Sequence, residues 1–249
     1  MGTPVIDLRA PGTQDAIWER WRADCAPLTV TGWRELVVVA PHPDDEVLGV
    51  GGLIALARAN GIPVTVVAVT DGEASHPNSP THSRDRLTAL RIKESHAAAT
   101  ELGAEPPLRL HLPDGDLTRH EHDLTERLSM LLARPGGEPV WCAASWAHDG
   151  HPDHEAVGRA AAAACARTGA RLLQYPIWMW HWATPANPLL EHSRARTLAL
   201  PPAAHSAKCR ALSRFRSQTQ PLSDLPGDEP ILPQHILRRF TGPTETFLL

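Results

Sequence analysis

The chain has 249 residues but only two lysines, Lys93 and Lys208, one tyrosine, three phenylalanines and four cysteines. Its basic side chains are nearly all arginine, scattered rather than gathered into a stripe, and the net charge is −4. That argues against nucleic acid or an anionic membrane as the main partner, because both are gripped by clustered positive charge. Cys25, Cys142, Cys165 and Cys209 show no CxxC spacing and no short, dense framework. They read as free thiols of a reducing cytoplasm or as small core residues. No apolar run approaches the length of a membrane span. The N-terminal "MGTPVIDLRAPG" has neither a basic nor an apolar targeting region, and Ile6 stands where a myristoylation motif needs Ser or Thr. Repeats, low-complexity tracts and a clean linker are also missing. With 42% apolar residues the chain can bury a substantial core, and one soluble cytoplasmic domain over residues 1–249 is the simplest expectation.

What is present is a regular alternation of strand and helix. A short amphipathic helix within "AIWERWRADC" precedes strand 36–40, and a helix of about 48–59 stops at Asn60-Gly61. Strand 64–70 follows, then a long helix of about 83–102 stopped by Gly103. The order continues with strand 108–112, a helix near 121–133, strand 139–144, an alanine-rich helix of about 154–168 and strand 171–178. Continuous apolar strands separated by helices predict an α/β fold, a Rossmann-like, mostly parallel sheet with helices on both faces. Past residue 183 the text is proline-rich, and an irregular C-terminal elaboration is expected apart from a helix around 205–217.

In a parallel sheet, ligands bind beyond the carboxyl ends of the strands. Two unusual stretches lie at such ends. "VVVAPHPDDEVLGVGG" (37–52) crowds His42, Asp44, Asp45 and Glu46 directly after a buried strand. His42 and Asp45 are three apart and can converge in a tight turn, a combination that suits Zn²⁺. Capping of the following helix explains a lone Asp more readily than it explains this whole cluster. The second stretch, "HDGHPDHEAVG" (148–158), again follows a strand and precedes a helix, and offers His151 and His154 as further ligands. Three protein ligands plus one water make the open zinc geometry of hydrolytic catalysis.

"APHPDDE" and "GHPDHEAVG" together resemble the two signature motifs of the PIG-L/LmbE-like zinc N-deacetylases. Weaker similarity lies in "TDGEAS" (70–75), "RIKESHAAATELGA" (91–104), "LPDGDL" (112–117) and "KCRALSRFRSQ" (208–218), so the likeness runs from about 35 to 220. It implies that His42, Asp45 and His154 bind zinc, although this donor set also suits Fe²⁺ or Co²⁺, and that Asp44 is the general base for attack of water on an N-acyl sugar or glycoconjugate. His151 is implied as the partner of the oxyanion, with protonation of the departing amine as a second role open to it, and Arg91 and Asp114 as substrate contacts, with Arg86 a rival for Arg91. Some such enzymes carry a tyrosine two residues before the first histidine of the second motif. Here that position is Asp149, and Tyr175 lies on an expected strand.

Three tryptophans in "YPIWMWHW" (175–182) alternate, so on a strand Trp178, Trp180 and Trp182 would share one face. They form either an acyl- or sugar-binding wall or a packed core, with His181 structural. "LGVGG" invites a dinucleotide reading, but Ile54 occupies the last glycine position and the acidic loop would repel pyrophosphate. An amidase for a larger acyl or thiol-conjugate amide, and a non-catalytic carbohydrate-binding protein, are the competing functions. Oligomeric state is open.

Overall fold

The computed structural model describes residues 6–7, 10–134 and 139–249. Residues 1–5 and 8–9, part of the stretch read for targeting signals, lie outside the described residues. Eight strands form one sheet: β1 (Ala26–Pro27), β2 (Leu36–Ala40), β3 (Val64–Ala68), β4 (Leu108–Arg109), β5 (Trp141–Ser145), β6 (Arg171–Tyr175), β7 (Ala195–Ala199) and β8 (Thr244–Leu248). Their order is β1-β7-β8-β6-β5-β2-β3-β4, and every pair is parallel except those made by β8. The helices are α1 (Asp15–Ala23), α2 (Asp45–Ala59), α3 (Arg84–Leu102), α4 (Glu121–Leu132), α5 (Pro152–Thr168), α6 (Met179–Trp182), α7 (Pro202–Leu212), α8 (Arg216–Thr219) and α9 (Gln234–Leu237). No helix among the described residues is long and apolar enough to cross a membrane.

Strand β2 explains the layering. All five of its residues are buried, and alternate side chains point to opposite faces of the sheet. Leu36 and Val38 join the core built with α2, α3 and α7, whereas Val37 and Val39 join the one built with α4 and α5. The chain winds one way from β2 to β3 and β4 and the other way from β5 to β6. The gap between the ends of β2 and β5 is thus the switch point, where a ligand crevice opens. The register Val39↔Ala144 sets the two signature loops side by side although they are over a hundred residues apart. Gly158 lets α5 lie against the end of β5, because a Cβ there would come within 2.6 Å of the Ser145 carbonyl oxygen and the Ala147 nitrogen.

Helix α2 is broken at Val50 (φ −140°, ψ 16°). The break frees backbone groups inside a buried helix, and such groups need partners. Glu245 of β8 accepts the N–H groups of Gly52 and Leu53 at 2.7 and 2.8 Å. Lys208 of α7 donates to the Leu48 carbonyl at 2.9 Å and to Glu245 at 2.8 Å. Both side chains are at most 2% exposed.

Two expectations for the C-terminal third are corrected. The proline-rich region past residue 183 contributes β7 and β8 to the sheet, so it is more regular than its composition implies. Strand β6 stops at Tyr175, and Trp180 and Trp182 lie on helix α6, so the three tryptophans share no strand face. All four cysteines are free.

Candidate metal centre and active site

His42 sits in the turn after β2, Asp45 opens α2 and His154 lies in the first turn of α5. The three side chains form a nearly equilateral triangle of ligand atoms. His42 Nδ1 is 3.3 Å from Asp45 Oδ2, His154 Nε2 is 3.2 Å from the same oxygen, and the two nitrogens are 3.3 Å apart. Donors held at about 2.0–2.1 Å by one tetrahedral ion stand about 3.3 Å from each other, so the residues fit a divalent cation. Electrostatics agree. Burial opposes the imidazolium of His154, yet Asp45 and Asp149 outweigh it and raise the pKa to about 9. Burial likewise opposes a charge on His42, but Asp114, Asp153 and Asp45 raise its pKa well above the usual value. For Asp45 burial favours the neutral form, and contacts with His154 and His42 reverse this and hold it below the usual carboxylate range. Such a cluster demands positive charge.

Each histidine is steadied from behind by a carboxylate, the arrangement that fixes ring orientation and tautomer at metal sites. Asp149 Oδ2 is 2.8 Å from His154 Nδ1, and Asp149 also accepts the N–H groups of Ile177, Trp178 and Met179. Asp153 Oδ2 is 3.2 Å from His42 Nε2 and accepts from Gly115, while its other oxygen accepts from Leu117. Asp114 Oδ1 is 3.1 Å from the same His42 nitrogen. Sequence reasoning assigned no role to Asp149 or Asp153. The available signal was the spacing of carboxylates immediately beside candidate ligand histidines.

Asp44 precedes α2 with φ 132°, a region that a non-glycine residue occupies only when its surroundings impose it. Its N–H donates to Glu46 at 2.9 Å. Burial raises Asp44 to about 8 although Arg91 pulls the other way, and burial lifts Glu46 to about 7. Arg91 is 2% exposed and spans the crevice floor. It donates to the Gly72 and Pro43 carbonyls at 2.8 and 2.6 Å and to Asp44 at 3.3 Å. Gly72 (φ 70°) leaves it room, since a Cβ there would meet the guanidinium at 2.1 Å. Arg86 is exposed and donates to the Thr81 carbonyl.

His151 caps α5, with Nδ1 accepting the Asp153 N–H at 3.2 Å. A backbone amide can only donate, so Nδ1 carries the lone pair and the neutral ring bears its proton on Nε2. Neutrality follows from burial and the neighbouring charges of His154 and His42, which lower the pKa to about 3.

These groups face one cavity of about 230 Å³. His42, Asp44, Asp45, Arg91, Asp114, His151 and His154 all line it, so the structure brings every sequence-predicted site residue together. Trp178 lines it as well. Trp180 instead packs edge-on against Trp18 at 5.0 Å in the core, and Trp182 Nε1 donates to the Asp149 carbonyl. His181 is buried, its Nε2 2.9 Å from the Asp7 carbonyl oxygen. Tyr175 is buried, its hydroxyl donating to Val39 within the sheet.

A family model described as "PIG-L: GlcNAc-PI de-N-acetylase" matches residues 37–165. A probable N-acetyl-alpha-D-glucosaminyl L-malate deacetylase 2 of Bacillus anthracis is 33% identical over 146 residues, covering 53% of this chain and 60% of that protein. The chain thus matches about 60% of the length of such a curated relative. A conserved protein of Thermus thermophilus shares the fold with a TM-score of 0.59 at 26% identity, covering 87% of this chain and 94% of that one. For N,N'-diacetylchitobiose deacetylase from Pyrococcus horikoshii the TM-score is 0.58 at 22% identity, with 83% and 80% covered.

Proposed function

Since this chain belongs to the PIG-L de-N-acetylase family, whose members are metal-dependent N-deacetylases, we propose that it hydrolyses the amide of an N-acylated glucosamine conjugate to a carboxylate and a free amine. The observation that carries this reading is the buried 3.2–3.3 Å triangle of His42, Asp45 and His154 in a cavity shared with Asp44. These three would hold a divalent ion, zinc by preference for this donor set, with Fe²⁺ or Co²⁺ as substitutes. Bound there, such an ion polarises the scissile carbonyl and acidifies a water.

The chain's own residues do the rest. Asp44 takes a proton from the attacking water as its oxygen bonds to the carbonyl carbon, then returns that proton to the nitrogen as the C–N bond breaks. Burial, which raises the Asp44 carboxyl, helps it keep the proton between those steps, and a cation held beside it would favour the carboxylate that first accepts that proton. Neutral His151 points its Nε2–H at the oxygen that gains charge, which is oxyanion stabilisation rather than proton donation. Asp114 accepts from a sugar hydroxyl. Arg91 fixes the Pro43–Asp44 backbone and meets the substrate only at the cavity floor. Residues 1–249 act as one cytoplasmic catalytic domain on a small molecule, with neither nucleic acid nor membrane as partner.

The test is a panel of N-acyl glucosamine conjugates incubated with metal-loaded protein and scored for free amine; no amine from any of them overturns the reading. Elemental analysis is expected to give about one ion per chain. Affinity for that ion should depend on pH in a defined direction. His154 holds a proton below about pH 9, and that proton must leave before Nε2 can bind an ion. His42, whose pKa is also raised, must free Nδ1 as well, so affinity is expected to rise between pH 6 and 8 by about tenfold per pH unit for each imidazolium proton released and to level off at higher pH. Competition titrations with a chelator of known pH dependence check this, and a flat profile contradicts it.

A further inference from the structure

The cavity has a charged floor and an apolar wall. Five of its lining residues, Leu48, Ile177, Trp178, Ile231 and Leu232, are large hydrophobic residues and come from three separate parts of the chain. Their positions are registered to the candidate metal centre. One carboxylate, Asp149, receives the Ile177 and Trp178 amides at 2.9 and 3.0 Å while holding His154 at 2.8 Å. On the other side, the Leu232 amide donates to the Gln218 carbonyl at 2.8 Å. Asp228 clasps the same segment by accepting hydroxyls from Ser79, Thr81 and Ser223.

Among the described residues that line the cavity, Arg91 is the only lysine or arginine. Its Nη1 donates to Gly72 and its Nη2 to Pro43 and Asp44, and its Nε, which has no partner, is buried. Asp44, Asp45 and Asp114 line the same space. Burying a carboxylate against indole and aliphatic carbon without a partner is costly, whereas an apolar group gains from the same contact.

We propose that the substrate carries an uncharged, apolar group next to its glucosamine, as aglycone or as acyl chain, and that Trp178, Ile231 and Leu232 select it over a carboxylate-bearing group. This rests on the deacetylase reading. The wall explains why a tryptophan is kept at the cavity while Trp180 serves the core.

The test compares N-acetylglucosamine, its benzyl glycoside, its malyl glycoside and N-hexanoylglucosamine as substrates of the metal-loaded protein. The benzyl or the hexanoyl compound is expected to exceed both the parent sugar and the malyl glycoside by about tenfold or more in kcat/KM, the scale of burying one hydrophobic group. A gain with benzyl alone assigns the wall to the aglycone, and a gain with hexanoyl alone assigns it to the acyl chain. Ile231→Lys, at a partly exposed position, should erase most of that preference through KM, and Trp178→Ala should do the same. A malyl glycoside turned over as well as the apolar compounds overturns the proposal. Calorimetric titration of the benzyl and malyl glucosaminides, both free amines, and of N-hexanoylglucosamine reads selectivity without turnover. Tighter binding of an apolar compound with no amine released from any substrate would sink the deacetylase reading and leave the selectivity standing. Equal binding of all three would sink the selectivity itself.

Discussion

Asp44→Asn is expected to fold, to keep its ion and to lose about 10²–10⁴-fold in kcat, the usual contribution of a general base. The substitution removes the basic oxygen and little else. Asn can still accept from Arg91, which donates to Asp44 at 3.3 Å. It also tolerates positive φ better than most residues, which matters at a position with φ 132°. Ion content by elemental analysis and kcat on a working substrate are the two readouts. If Asp44→Asn loses the ion while Asp45→Asn keeps it, the roles of the adjacent acids are exchanged.

Substitution of Asp149 should separate stability from ion binding. Asp149→Ala leaves the buried amides of Ile177, Trp178 and Met179 and the His154 ring without their acceptor. At about 1–3 kcal/mol for each buried donor left unsatisfied, the loss is a large fraction of a domain's stability, and urea denaturation should find the variant barely folded. Asp149→Asn is the more informative change. Its amide oxygen can still accept from Ile177 and Met179, while its NH2 takes the place of Oδ2, where it costs Trp178 an acceptor and donates to His154 Nδ1. That forces the ring proton onto Nε2, the atom needed for the ion. The variant is expected to fold and to bind the ion about 10–100-fold more weakly. Unchanged affinity in Asp149→Asn would mean that His154 Nε2 is not a ligand.

Much of the candidate site was legible because its chemistry is local. His42, Asp44 and Asp45 lie within one turn, His151 and His154 within another, and a parallel sheet joins the ends of neighbouring strands. What stayed hidden depends on distant partners. "YPIWMWHW" alternates like a strand, but Pro176 and the capture of amides 177–179 by Asp149 turn the chain out of the sheet after Tyr175. Strand β8 was missed for a related reason. "TETFL" carries a charged residue, Glu245, that is 3% exposed, and a pattern of apolar residues rejects it. Only the break in α2, nearly two hundred residues earlier, explains why a carboxylate belongs there. Arg91 was legible as a site residue from its motif, but its bonds to Gly72 and Pro43 are visible only once the loops are folded.

The bond between Glu245 and the break in α2 also sets a schedule for synthesis. All the residues that line the metal triangle have been made once His154 is made, yet the helix that begins with Asp45 lacks its acceptor until 91 further residues have been added, since 245 − 154 = 91. At about 5–20 residues per second, that interval is roughly 5–20 s on the ribosome. Throughout it the nascent chain carries the three candidate ligands beside an unsupported, glycine-rich helix, so the candidate metal centre is among the last parts of the molecule to mature.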